Sequence, residues 1–158
     1  NMIMKKQRLV KTGSMPGVTK TVNFFLLNDS ISLADLPGFG YAKLPHAMRK
    51  AFLPLIKKYI EGRGNLRLAF LLIDVRRVPD DAELEILSLL TGRGVPVAVT
   101  LTKCDKLSRN QRARSVAAIA DALGVPRDAI FMSSAKSEEG RKELLGLIEE
   151  HASAGTGD

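Results

Sequence analysis

Two nearly continuous apolar runs, residues 66–73 and 95–101, each lead straight into a polar cluster. Runs of this kind read as strands covered on both faces of a parallel sheet. Parallel neighbours cannot be joined by a tight turn and need a crossover of about a dozen residues, usually a helix. Residues 80–90 supply it, with helical apolar spacing and the stop signals Gly92 and Gly94 behind them. The alternation continues on either side. Strands are expected at 20–27 and 31–34, with the turn-like Asn28-Asp29 between them, and a helix at 45–60 ends before Gly62. Ser108 is placed to cap a helix reaching Leu123, which Gly124 closes. A short strand at 129–132 and a helix at 138–151 complete the series. Residues 2–10 have the spacing of the tail of an amphipathic helix with no capping residue to start it, and 152–158 read as a small, polar, frayed tail. Such alternation implies a three-layer α/β fold built from βαβ units.

Composition removes several other classes. The lone Cys104 excludes an internal disulfide framework, and a 45% hydrophobic content is that of a folded chain. No apolar run approaches the roughly 20 residues that span a bilayer. One reduced, cytoplasmic domain without a membrane segment is expected, monomeric, over residues 1–151. The 24 Lys and Arg against 17 Asp and Glu give a net charge of +7, which favours a polyanionic partner. The basic side chains cluster at Lys5-Lys6-Arg8-Lys11, at Lys57-Lys58 with Arg63 and Arg67, and at Arg109, Arg112 and Arg114. Only 5% of residues are aromatic, so contacts to a nucleic-acid backbone fit better than a base-stacking platform.

In α/β sheets ligands bind at the carboxyl ends of the strands, and the polar clusters at 35–38, 74–76, 102–105 and 133–136 sit in such places, with the loop at 14–19 ahead of the first strand. Asp35-Leu36-Pro37-Gly38 can hold Mg²⁺ through the Asp35 carboxylate and offer the Gly38 N–H to a terminal phosphate; it is also an ordinary Asp-containing turn. In Thr102-Lys103-Cys104-Asp105 the Asp105 carboxylate is acceptor-only, suited to the adjacent N1–H and N2–H₂ donors of guanine. The aliphatic stem of Lys103 can lie over the base. In Ser133-Ser134-Ala135-Lys136 the Ala135 N–H can donate to guanine O6, while Ser134 or Ser137 can equally cap a helix. The loop Ser14-Met15-Pro16-Gly17-Val18-Thr19 places the Thr19 hydroxyl where it can complete a Mg²⁺ shell. Asp74-Val75-Arg76 ends another strand on the same edge.

The order Thr loop, D-x-P-G, T-K-x-D, S-A-K is the pattern of translation-factor-like P-loop GTPases. Within that superfamily, Val22-Asn23-Phe24-Phe25, Asp35-Leu36-Pro37-Gly38-Phe39-Gly40-Tyr41-Ala42-Lys43, Leu72-Ile73-Asp74-Val75-Arg76 and Thr102-Lys103-Cys104-Asp105-Lys106 closely resemble the EngB (YihA/YsxC) ribosome-biogenesis GTP-binding proteins. The resemblance covers nearly the whole chain. It implies a Ras-like three-layer domain with a mostly parallel sheet, GTP or GDP bound through Thr19, Asp35, Gly38, Thr102, Lys103, Asp105, Ser133, Ser134 and Ala135, and Mg²⁺ at Thr19 and Asp35. It also implies rRNA or ribosomal particles as partners, in assembly of the large subunit and, through it, cell growth and division.

Three departures qualify this. No G-x-x-x-x-G-K-[ST] phosphate loop is present, since Gly62-Arg63, Gly92-Arg93 and Gly140-Arg141 all lack the motif. By the resemblance Asn1-Met2-Ile3 corresponds to the helix after that loop, so a first strand and phosphate loop ahead of Asn1 are expected to be missing, with weak GTP binding and no hydrolysis as the result. Phe39 stands where Ras-like proteins place a water-orienting Gln, which implies slow intrinsic turnover; Tyr41, His46 and Arg76 are either helpers or ordinary surface residues. Thr102 replaces a common Asn, as it does in the family. A nucleotide-independent RNA-binding scaffold on a degenerate GTPase frame is the rival expectation.

Overall fold

The computed structural model describes residues 9–15, 22–38 and 46–153. The chain forms two compact units, one within Met4–Gly64 and one within Asn65–Asp158.

In the first unit β1 (Leu9–Met15), β2 (Val22–Leu27) and β3 (Ile31–Asp35) form an antiparallel sheet in that order. The β2–β3 turn places Asn28 and Asp29 at φ 50° and 55°, a left-handed conformation that Asn and Asp tolerate better than most residues. Leu9 and Val10 belong to β1, not to the helix tail expected for 2–10; residues 2–8 lie outside the described ones. Pairing decides this: Leu9 faces Leu27 and Val10 faces Leu26, so ladder hydrogen bonds override a weak helical spacing. The register shifts between Lys11 and Gly13, a bulge that glycine accommodates and a helix would not favour. Ser14 and Met15, expected in a loop, finish this strand. Helix α1 (His46–Glu61) buries Phe52, Ile56 and Ile60, four residues apart on one face. The Gly62 N–H donates to the Lys58 carbonyl beyond its last turn.

In the second unit β4 (Ala69–Asp74), β5 (Val97–Thr102) and β6 (Ile130–Met132) form the expected parallel sheet. Helices α2 (Asp81–Gly92) and α3 (Arg109–Leu123) make the crossovers, and α4 (Arg141–Ser153) follows. The pairing runs from Ala69 opposite Val97 to Asp74 opposite Thr102, so both apolar runs end level with each other. That shared end brings their polar clusters to one edge. Both helix starts follow the sequence. Asp80 and Glu83 form a reciprocal capping box on α2, Ser108 and Gln111 one on α3, and Gly124 closes α3 at φ 66°. Glu83 is fully buried and satisfied twice, by the Arg77 guanidinium and by the Asp80 N–H. Helix α4 begins at Arg141, three residues later than expected. Glu138 and Gly140 sit at φ 60° and 76°, outside helical space, and Ser134 N–H closes a loop on the Glu139 carbonyl at 3.1 Å.

Candidate functional site

At the end of β5 the chain turns sharply. Lys103 adopts φ 62°, ψ 33°, uncommon for a side-chain-bearing residue, and a single 3₁₀ turn over Cys104–Lys106 follows. Cys104 anchors that turn from below. It is fully buried, its Sγ lies 3.3 Å from the Leu101 carbonyl, and its N–H donates to Ser133. Burial pushes the thiol up, so Cys104 is a packed, protonated side chain and not a reactive one. With Cys104 inward, Asp105 is directed to the partly open edge.

The loop after β6 meets it there. The Ser134 hydroxyl donates to Asp105 Oδ1 at 2.6 Å and accepts from the Lys136 and Ser137 N–H groups at 3.2 Å each. Ser134 thus caps a turn, not the start of a helix, and in doing so it fixes Asp105. Ser133 supports it from the buried side, its N–H and Oγ both donating to the Leu101 carbonyl at 2.7 and 3.1 Å. The Ser134 hydroxyl, with lesser help from Lys106 and Lys136, holds the Asp105 carboxyl below the usual carboxylate range. A carboxylate has about four lone-pair sites. Ser134 occupies one on Oδ1 and Lys106 Nζ stands 3.7 Å from Oδ2, so the carboxylate keeps acceptor capacity for further donors. Ala135 is exposed at the tip of the same loop.

Lys103 has a partner on the neighbouring strand. Its Nζ lies 2.9 Å from Asp74 Oδ2, across the strand pair that sets Asp74 opposite Thr102. Thr102 is half-buried and its hydroxyl donates back to the Ile73 carbonyl. Arg76 forks the same carboxylate, Nε to Oδ1 at 2.9 Å and Nη2 to Oδ2 at 2.7 Å. The Arg76 bonds first, and those of Lys103 with them, hold Asp74 far below the ordinary carboxylate range. A depressed carboxyl stabilises the fold above its unfolded pKa of about 3.9 and loses that contribution only as pH falls further. The Asp74–Lys103 tie therefore persists throughout the neutral range. It pins the lysine stem at the strand end that carries Asp105. Replacing Asp74 with Ala is expected to break its ties to Arg76 and Lys103 and leave the turn after β5 less protected; hydrogen exchange of the Lys103–Lys106 amides measures it.

A second tie joins the two loops. Arg112 Nη1 donates to both Glu139 oxygens at 2.8 and 3.0 Å while its Nε donates to the Leu107 carbonyl. Gly140 sits beneath the β6 loop, where a Cβ would fall 1.9 Å from the Met132 carbonyl oxygen. None of Arg112, Glu139 and Gly140 stands in a motif that announces this role, so the tie was not legible in the sequence.

Asp35 and Gly38 belong to the first unit. Asp35 ends β3 opposite Asn23 and is exposed, as is Gly38. A Cβ at Gly38 would meet nothing within 4 Å, and its φ is not positive. Among the described residues nothing demands glycine there, in contrast to Gly140. Thr19, Phe39 and Tyr41 lie outside the described residues, as does the side chain of His46.

Comparison with known proteins turns this geometry into a family assignment. The family model described as 50S ribosome-binding GTPase matches residues 1–103. A probable GTP-binding protein EngB of Geobacter metallireducens is 42% identical over 155 residues, 98% of this chain and 76% of that protein. Its counterpart in Pelobacter propionicus is 44% identical over 151 residues, 93% and 76% of the two chains. The chain belongs to the EngB family. Solved structures agree on the α/β GTPase fold. The crystal structure of a probable GTP-binding protein EngB superposes with a TM-score of 0.70 at 22% identity, over 88% of this chain and 87% of that one. The cytosolic domain of the T. maritima FeoB iron transporter gives 0.53 at 24% identity, over 97% and 56%. Within the EngB fold, the parallel strand ends supply the carboxylate and loop described above. Among the described residues no helix is long and apolar enough to cross a membrane.

Proposed function

We propose that this EngB-family chain reads the base of GTP and GDP and serves as the switch part of a factor acting, as a monomer in the cytoplasm, in assembly of the large ribosomal subunit. One observation carries the base reading: Asp105 is ionised, held by Ser134 at 2.6 Å, and left with acceptors toward the open edge. Guanine offers two adjacent donors to such a group and adenine offers none in that arrangement. Lys103 covers the base with its stem, Thr102 and Ser133 hold the two loops in place, and the Ala135 N–H donates to O6. Gly38 brings a bare backbone N–H to the γ-phosphate, which explains glycine where the fold leaves room for a side chain.

Mg²⁺ fits this arrangement. Asp35 is a hard, exposed oxygen donor, of the kind Mg²⁺ takes one or two of before completing its shell with water and phosphate. Asp35 and Thr19 are the residues proposed to hold it, and the bound ion would neutralise phosphate charge. Phe39 supplies no hydrogen bond to a water, so hydrolysis is expected to be slow.

Co-sedimentation with large ribosomal subunits tests the switch. The expected result is several-fold more protein in the pellet with GTP than with GDP, falling as salt rises. Equal pelleting with GTP, GDP or no nucleotide is the outcome of the rival scaffold reading and would overturn the switch.

A further inference from the structure

The charge of the chain is not shared between its two units. Met4–Gly64 has eleven Lys and Arg against three Asp and Glu, a net +8, and the remaining residues net −1. We infer that an RNA phosphate backbone docks on the Met4–Gly64 unit at the carboxyl end of α1, where Lys57, Lys58 and Arg63 lie, and not on the arginine run of α3. This rests on the proposed ribosomal partner and names the surface that meets it.

The residues at that end are arranged for the task. Lys58 is exposed in the last turn of α1, with Lys57 half-buried beside it. The Arg63 guanidinium lies over two rings, 5.2 Å from the centre of Phe24 and 5.4 Å from that of Tyr59. Those rings are 6.1 Å apart and tilted by 44°. Stacking orders the arginine in advance and costs it little of its charge, so less side-chain entropy is lost when a phosphate binds. Burial pushes the Tyr59 hydroxyl up, keeping it a neutral donor at physiological pH. Because Arg63 covers both rings, this end reads backbone rather than stacking bases.

On α3, Arg112 is committed to Glu139 and to the Leu107 carbonyl, and the exposed Arg109 and Arg114 stand in a unit whose charges nearly cancel. A single cation is enough to offset the dipole at the end of α1, so helix capping does not account for the whole group. The large apolar side chains exposed among the described residues, Leu72, Val78, Leu84 and Met132, all lie in the other unit. Insertion into a lipid surface would call for exposed apolar side chains beside the cations, and those found among the described residues stand elsewhere.

Fluorescence anisotropy with a labelled RNA hairpin across a salt series tests the placement. Each phosphate contact removed lowers the slope of log affinity against log salt by about one. The slope is therefore expected to fall by about two in Lys57→Ala/Lys58→Ala and by about one in Lys58→Ala, and to stay constant in Arg109→Ala/Arg114→Ala. Lys58→Ala alone, at an exposed position, keeps the test readable if the double variant folds poorly. An unchanged slope in Lys58→Ala, or an equal loss in the α3 variant, overturns the placement. Binding of the wild type to phosphatidylserine vesicles but not to RNA overturns the choice of partner. Binding to neither RNA nor ribosomal particles overturns the functional reading beneath it.

Discussion

Asp105→Asn is expected to exchange guanine for xanthine as the preferred base. The amide keeps an oxygen to accept from Ser134, so the loop contact at 2.6 Å survives and the fold with it. What changes is the free edge. A carboxylate accepts from both N1–H and the N2 amine, whereas an amide offers one acceptor and one donor. Facing guanine, its NH₂ opposes another NH₂; facing xanthine, it meets a carbonyl. Two charge-assisted hydrogen bonds are lost, each of about 1.5–3 kcal/mol, so guanine affinity should fall roughly a hundredfold or more. Competition between GDP and XDP for the protein measures it. Similar affinities for GDP in the two proteins would show that Asp105 does not touch the base. Because the carboxyl lies below the usual range, the wild-type preference should also stay flat from about pH 5 to 8 and weaken only below about pH 4.

Gly140→Ala is the substitution expected to damage the site most from outside it. Two effects add. Gly140 has φ 76°, where an added Cβ costs about 1–2 kcal/mol, and that Cβ would lie 1.9 Å from the Met132 carbonyl oxygen. Backbone cannot rotate aside as a flexible side chain does, so the segment from Met132 to Ser134 must move. It carries the Ser134 hydroxyl away from Asp105. Gly124→Ala is the matched control: φ is 66° there too, yet a Cβ would meet nothing within 4 Å. The control should lose about 1 kcal/mol in urea unfolding and keep its base preference. Gly140→Ala should lose about 3 kcal/mol and weaken guanosine binding at least tenfold. Equal losses in the two variants would mean that the loop yields without cost.

The βαβ alternation was readable because buried parallel strands leave apolar runs with abrupt polar ends, and Asp105 was readable because it follows one of those ends. Its partner Ser134 was found for the same reason, though helix capping competed with turn capping until the left-handed residues Glu138 and Gly140 delayed α4 to Arg141. Asp74 stood at the correct edge in the sequence, but its tie to Lys103 depends on the register that sets it opposite Thr102. No local pattern encodes a register. Gly140 looked like an ordinary Gly-Arg pair, since the clash that forbids a side chain comes from Met132. Residues 9 and 10 went to a strand because β2 offered them partners, which lie 16 or more positions away. The even spread of basic clusters along the sequence hid a division of charge that becomes visible only when the chain is divided into its units.

The central claim is that the loops after β5 and β6 together read guanine. Titrating the ¹⁵N-labelled protein with guanosine, and separately with adenosine, tests it without relying on phosphate contacts. Guanosine should move the amide resonances of Lys103, Asp105 and Ala135 together, along one saturable curve, while adenosine leaves them in place. Equal responses to both nucleosides, or guanosine shifts confined to residues away from these two loops, would contradict the account.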